Sequence, residues 1–363
     1  MRWVAATPET VKKFIGLGAE VAVEHAAGAE AGFPDAEYQT AGARLVSDKE
    51  ALGADLVLKV RRPSGDEISR LKSDAVVVAT MDPYGHHAAI ETMAKAGVAA
   101  FAMELLPRIT RAQSMDVLSS QANLAGYRAV IDAASEYGRA LPMMMTPAGT
   151  VTAAKLFVMG VGVAGLQAIA TGRRLGAVVT ATDVRPATKE QVESLGAKFV
   201  AVEDEEFKQA ETSGGYAKEM SDAYRAKQAD LIASHIAKQD IVVTTALIPG
   251  RPAPRLVTAD MVKSMRAGSV IVDLAVERGG NCELSRPGEL AFSDNGVKII
   301  GYSNVTRIPS SASALYARNL YAFAETLIDK ANKSLAVNWD DELVKATCLT
   351  RGGAIVHTNF TPQ

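Results

Sequence analysis

Three glycines and one carboxylate, set at fixed distances, carry the clearest chemical statement in this sequence. Gly160-Val161-Gly162-Val163-Ala164-Gly165 follows the apolar run Leu156 to Met159, opens the helical run Leu166 to Leu175, and precedes Asp183, which lies eighteen positions after Gly165. Gly160 permits a tight turn out of a strand, Gly162 leaves room for a pyrophosphate to approach the backbone, and Gly165 lets a helix pack close to the sheet. The pyrophosphate then meets unpaired N–H groups at the positive end of the helix dipole. Asp183, ending the next strand, would accept hydrogen bonds from ribose hydroxyls and repel a 2′-phosphate, so the pattern predicts NAD. Arg185 is of the type that can accommodate such a phosphate, but a carboxylate in the ribose position decides for NAD. A lone GxGxxG could be a plain structural turn; the strand before it, the helix after it and the acid beyond it give this one its meaning.

These residues need a sheet to hold them, and the sequence supplies a series of strand-like and helix-like runs. Glu20 to Glu24, Asp55 to Val60 and Ala75 to Thr80 read as strands, and His86 to Ala96 as a helix with Ala88, Ile90, Met93 and Ala94 on one face. Gly18 and Gly97 suit helix C-termini. Met115 to Tyr137 reads as one long helix carrying the domain crossover, and Pro142 to Thr150 has linker chemistry. Six further strand-like runs follow: Leu156 to Met159, Val178 to Asp183, Phe199 to Val202, Ile241 to Ala246, Ser269 to Val276 and Val297 to Tyr302. Pro309 to Lys330 reads as a long helix returning the chain to the first domain, and Cys348-Leu349-Thr350 and Ala354-Ile355-Val356 as a strand pair. The expectation is an α/β protein of two Rossmann-like domains with parallel sheets, linked by long helices, the second carrying the fingerprint. Residues 1–118 with 308–363 form the first, and 119–307 the second.

Length and composition agree with this class. The chain has 363 residues, 48% of them hydrophobic and 22% charged, with a formal charge of -2, so bulk electrostatics draw it neither to nucleic acid nor to an anionic membrane. Two isolated cysteines, Cys282 and Cys348, make neither a disulfide framework nor a zinc cage and suit a reducing cytoplasm. Met1-Arg2-Trp3-Val4 does not open a secretory signal, and the most apolar stretch, Leu156 to Thr171, is broken by glycines and Gln167, so no bilayer span is expected.

A second set of residues has no reading from spacing alone. Met103 to Asp116, containing Arg108-Ile109-Thr110-Arg111-Ala112-Gln113-Ser114-Met115-Asp116, continues through Ser119-Ser120-Gln121 to Asn123-Leu124-Ala125-Gly126-Tyr127-Arg128. This run resembles the NAD(H)-binding component of proton-translocating nicotinamide nucleotide transhydrogenase. The likeness extends through the Gly160 fingerprint, Gly214-Gly215-Tyr216-Ala217-Lys218-Glu219-Met220, Thr244 to Gly250 and Val272 to Asn281. It implies direct hydride transfer from NADH on this component to NADP+ on a separate component, coupled to proton movement through a membrane-spanning component. It also implies a homodimer, docked peripherally on the cytoplasmic face of the inner membrane.

By the same resemblance, Arg108 and Asp116 hold the nicotinamide end and Gln113 reaches toward the partner's nucleotide; these three are the catalytic candidates. Ile109, Thr110, Arg111, Ser119, Val163, Val184, Ala246 and Leu247 join Gly160, Gly162, Gly165, Asp183 and Arg185 in the cofactor-binding set. The polar segment Lys208 to Gln228 is far longer than an ordinary sheet connection. In the resemblance it is a mobile loop, with Gly214-Gly215 as hinge, Tyr216 covering the cofactor and Gln228 near the adenosine end; otherwise it is a solvated helical hairpin. Gln113 and Asp116 equally suit the capping of the helix they precede. No metal site is expected.

Two other readings stay open. Alanine dehydrogenase shares several segments, including Lys59 within Leu58-Lys59-Val60-Arg61-Arg62-Pro63 and Asp273 before Gly279-Gly280. Its pattern also needs a histidine after the next strand, where this chain has Thr80-Met81-Asp82-Pro83, and an arginine where Trp3 stands before Val4-Ala5-Ala6-Thr7-Pro8; His86 and His87 fall at a helix start. A non-catalytic NAD-sensing module is the third reading. The transhydrogenase pattern also has an opening strand and an acidic turn without counterpart here, so fraying of the first domain at that edge is expected.

Overall fold

Short runs of valine, isoleucine and alanine bounded by polar turns become the strands of two α/β units. The computed structural model describes residues 3–208, 220–302 and 307–361. Unit one comprises Met1–Gln121 with Ile308–Gln363, and unit two Ala122–Arg307. Each is built around its own mostly parallel sheet.

Unit one starts with the helix Pro8–Gly16, which Thr7 opens with a capping box against Thr10. Strands β1 (Ala22–Glu24), β2 (Arg44–Val46), β3 (Leu56–Arg61), β4 (Val76–Thr80) and β5 (Ala99–Ala102) follow. β1 pairs in parallel with β2 alone, whereas β3, β4 and β5 run parallel in a separate sheet. Ser47 with Glu50 and Ser64 with Glu67 cap the helices Asp48–Leu52 and Gly65–Ile68. The buried Tyr316 fixes the register shift between β3 and β4: its hydroxyl accepts from Thr80 N–H and lies 3.0 Å from the carbonyls of Lys59 and Val60.

Unit two carries β6 (Met144–Thr146), β7 (Gly149–Val151), β8 (Lys155–Met159), β9 (Val178–Thr182), β10 (Lys198–Phe199), β11 (Ile241–Thr244), β12 (Val270–Asp273), β13 (Leu290–Phe292) and β14 (Lys298–Ile300). The main sheet is ordered β10-β9-β8-β11-β12-β14-β13, with only β13 antiparallel. This is the order of a doubly wound nucleotide-binding sheet, whose ligand crevice lies where the winding reverses, here between β8 and β11. Leu156, Val158, Val243 and Val272 face one core with Ile169, while Phe157, Val242 and Ile271 face another with Ile232 and Ile236. Covered on both sides, such strands read as apolar runs without alternation, and each large buried side chain contributes about 1.5–3 kcal/mol.

The chain re-enters unit one through the helix Pro309–Ala324, then β15 (Ile328–Asp329), β16 (Ser334–Leu335), β17 (Cys348–Arg351) and β18 (Ala354–Ile355). β17 lies antiparallel on β5, giving the order β18-β17-β5-β4-β3. The tail strand pair therefore extends the first sheet.

Several local expectations change. Pro142 to Thr150 is no simple linker: Met144–Thr146 and Gly149–Val151 pair as a hairpin, closed by Thr146 Oγ1, which accepts from Ala148 N–H and donates to Gly149 O. The turn chemistry that suggested a linker closes this hairpin. The terminal helix stops at Ala324 and continues as the 3-10 turn Glu325–Leu327, short of the expected Lys330. β2, β13, β15 and β16 are two or three residues long, too short to show a period.

The helix Val117–Glu136 lies against the start of the helix Val163–Arg174: a Cβ added at Gly126 would stand 2.0 Å from the Ala164 carbonyl oxygen. Gly126→Ala is expected to lower stability by about 1–3 kcal/mol through overpacking. Gly138→Ala, whose Cβ meets nothing within 4 Å among the described residues, should be near neutral. Denaturant melts of the two variants check this; equal midpoints would mean that the helices separate at no cost.

Candidate functional site

The dinucleotide fingerprint forms where β8 ends. Gly160 has φ +100°, and a side chain there would meet Thr245 Oγ1 at 2.7 Å and Ala246 N at 3.2 Å. A Cβ at Gly165 would stand 1.9 Å from the Gly160 carbonyl oxygen, so the helix can lie this close only on glycine. Gly162 differs from both. It is the N-cap of the helix Val163–Arg174, a Cβ there would meet nothing described within 4 Å, and among the described residues no side chain caps the helix. The first N–H groups of that helix are therefore turned toward open space, the arrangement that receives a phosphate.

Asp183 sits beside this turn, just past β9, with its side chain only 7% exposed. Its carboxylate accepts from Val161 N–H at 2.7 Å and from Arg185 N–H at 2.9 Å. The Arg185 guanidinium forks onto the same group, Nε to Oδ1 at 2.9 Å and Nη2 to Oδ2 at 3.0 Å, and also donates to Val161 O. Four donors fill the roughly four acceptor positions of a carboxylate. A ribose would have to displace the guanidinium fork to bond Asp183. Val184 between them is 51% exposed.

Gln228, on the helix Asp222–Ile236, comes to the same strand end: Oε1 accepts from Val202 N–H and Nε2 donates to Thr182 Oγ1. Tyr224 on that helix donates to Val202 O, and burial pushes its phenol up to about 12. Gly215 and Tyr216 lie outside the described residues.

Across the sheet, Ala246 is gripped by a residue that the sequence did not single out. The buried Asn281 accepts from Ala246 N–H at 3.0 Å and donates to the carbonyls of Ala246 and Pro254. Its position directly after Gly279-Gly280 was the only available signal. Leu247 next to Ala246 is 53% exposed. Gly160, Asp183, Gln228 and Ala246 thus gather at the carboxyl ends of β8, β9 and β11.

The Arg108 to Ser119 candidates belong to unit one. Ile109 precedes the 3-10 helix Thr110–Met115, in which Ala112 and Met115 are buried while Arg108, Thr110 and Gln113 are exposed. Arg111 pairs with Asp341, the cap of the helix Glu342–Thr347. Asp116 accepts from Ser119 N–H at 2.9 Å and Ser119 Oγ at 2.5 Å, which is the capping arrangement. Asn319, unnoticed in its helix, pins the segment by donating to Ser114 O and accepting from Ser120 Oγ.

The groups that the dehydrogenase pattern would use are engaged locally. Lys59 is paired with Glu67, and His86 occupies an N-cap with Nδ1 2.9 Å from Asp82 O. Asp273 is buried and accepts from Ala275 N–H, Cys282 N–H and Ser285 Oγ. Glu104 accepts from Met81 N–H and Asp82 N–H, and burial holds its carboxyl above the usual range despite those bonds. Burial raises the thiols of Cys282 and Cys348 to about 11, which keeps both protonated. Among the described residues no group of three or more His, Cys, Asp or Glu could hold a metal ion, and no helix is long and apolar enough to cross a membrane.

Comparison with known proteins gives this geometry its setting. Residues 2–125 match the family model described as alanine dehydrogenase/PNT, N-terminal domain, and residues 129–358 match the C-terminal domain of the same description. The chain is 55% identical to the first portion of the NAD(P) transhydrogenase alpha subunit of Rhodospirillum rubrum, a separate polypeptide there, over 368 residues that span 99% of this chain and 96% of that protein. A crystal structure of transhydrogenase from Sinorhizobium meliloti matches with a TM-score of 0.89 at 63% identity, covering 98% of this chain and 96% of that one. An L-alanine dehydrogenase structure matches with a TM-score of 0.80 at 25% identity, covering 99% of this chain and 94% of that one. The chain belongs to the alanine dehydrogenase/PNT family, and within it to the NAD(P) transhydrogenase alpha subunits.

Proposed function

We propose that this chain binds NAD(H) in its second unit and exchanges hydride directly with NADP(H) held on a separate component, with proton translocation coupled through a membrane-spanning component. The observation that carries the reading is the open helix start at Gly162, set beside Asp183 at the switch point of the sheet. The open space at Gly162 fits a pyrophosphate, and the crowding at Gly160 and Gly165 shapes its cradle. The names of the relatives, which describe a portion of one subunit, support partner components. A homodimer docked on the cytoplasmic face completes the reading; the apolar side chains of Met143, Met144 and Met145 around β6 offer surface for such a contact.

Bound NAD(H) supplies the hydride chemistry; the chain supplies binding and orientation. The helix start at Gly162 and Val163 holds the pyrophosphate. Asp183 takes the adenosine ribose once the Arg185 guanidinium swings off it, and Gln228 and Val184 border that end. Arg108 and Asp116, with Ile109, Thr110, Arg111 and Ser119 around them, hold the nicotinamide, while Gln113 faces the partner's nucleotide. The Gly215-Tyr216 segment covers the cofactor, with Ala246 and Leu247 bordering it. Hydride exchange between two nicotinamides needs no nucleophile and no general acid or base, only alignment and exclusion of water.

Three outcomes are expected. Supplied with NADH alone, or with NADH, pyruvate and ammonium, the chain turns over nothing; adding an NADP+-loaded partner component starts NADH oxidation, followed by absorbance. Oxidation in the pyruvate mixture without the partner would sink the reading. Asp183→Asn should weaken NADH binding about 10- to 150-fold, the worth of a hydrogen bond to a charged group, in a calorimetric titration; unchanged affinity would remove Asp183 from the site. Gln113→Asn should leave NADH affinity within about twofold while slowing transfer to the partner at least about tenfold, and a large loss of NADH binding instead would make Gln113 structural.

A further inference from the structure

The first unit contains a break in its sheet that the second unit explains. In unit two, β8 lies between β9 and β11, with β10 beyond β9, and runs directly into the helix Val163–Arg174, which leads on to β9. Unit one repeats the plan around one missing piece. The helix Pro8–Gly16 leads on to β1, β2 pairs with the far side of β1, and β3, β4 and β5 continue in the other direction. Across unit one the order is β2, β1, a gap, β3, β4, β5, which is the usual third-second-first-fourth-fifth-sixth winding without its first strand.

The gap is a cleft of about 1710 Å3 whose walls include Val23 and Glu24 of β1 and Leu56, Leu58 and Val60 of β3. That exceeds the roughly 300–1,000 Å3 of small-molecule pockets. Both walls are sheet edges: among the described residues β1 pairs only with β2, and β3 only with β4. Leu56, Leu58 and Val60 are half-exposed here, although they pack on the apolar core of the unit. Unpaired edges with apolar side chains form a template for one more strand. Val4, Ala5 and Ala6, which lead into the helix Pro8–Gly16, also line the cleft, so a strand seated there is in place to feed that helix.

We propose that the cleft is the seat of a further β-strand, an extended apolar segment joined covalently to the N-terminal side of the helix Pro8–Gly16 and parallel to β1 and β3. Seated there, it fuses the two-stranded and five-stranded sheets into one. Its residues are apolar on both faces, as in other central parallel strands, and contain no proline, because each edge needs its N–H groups.

The test extends the chain at its N-terminus with a six-residue Val/Ile strand, or with the same strand carrying two prolines, and compares both with the unextended chain. With the Val/Ile strand, amide exchange across residues 22–24 and 56–61 should slow at least about tenfold and the Tm rise by several degrees, whereas the proline strand should do neither. Equal exchange at both edges in all three proteins would overturn the proposal. A free peptide of the same sequence that protected both edges as well as the fused one would assign the slot to a separate chain and overturn the covalent origin. Exchange at the two edges is read directly, so the outcome is independent of NAD(H) binding and hydride transfer.

Discussion

The candidate site rests on one steric contact, the closeness of the helix Val163–Arg174 to the end of β8. A Cβ at Gly165 would fall 1.9 Å from the Gly160 carbonyl, so the lack of a side chain there sets the height of the helix above the sheet. The same carbonyl accepts from Thr245 Oγ1 at 3.0 Å, which ties the end of β8 to the residue after β11. From the other side, Gly126 lets the helix Val117–Glu136 rest on the Ala164 carbonyl. The start of the helix is thereby held from two directions before any ligand arrives, and a phosphate meets N–H groups that need no rearrangement.

Electrostatics within unit two follow from that fixed turn. Val161 N–H points at Asp183 because the turn places it there, and the carboxylate, thus anchored, gathers the Arg185 fork. The pair keeps a nearly buried charge neutral, since an uncompensated carboxylate at this depth would be costly. It also means that the discrimination expected of a bare carboxylate against a 2′-phosphate depends on where Arg185 goes when a ribose binds. The carboxylates of Asp116, Asp273 and Glu104 are likewise engaged, each by backbone N–H groups. A protein whose chemistry is alignment rather than proton transfer can commit its acids in this way.

Where local rules govern, the sequence was readable. Strands buried on both faces announced themselves as apolar runs, and glycine at positive φ after the helices Pro8–Gly16 and His87–Lys95 marked their ends. The hairpin of β6 and β7 was missed because proline, threonine and glycine there signal a turn without saying what flanks it, and its strands cover no core that would impose alternation. β13 escaped for a similar reason, being three residues at a sheet edge.

The sequence by itself determined the elements and the type of ligand, because glycine spacing, the strand before it and the acid after it are properties of neighbouring residues. Only the tertiary structure decided that Arg185 lies on Asp183, that Asn281 holds Ala246, that Asn319 pins the segment after Ser114, and that β1 and β3 face each other across an open cleft. Those facts depend on which distant segments meet. Contacts between residues far apart in the chain are set by packing and sheet order, and no local period or spacing encodes them.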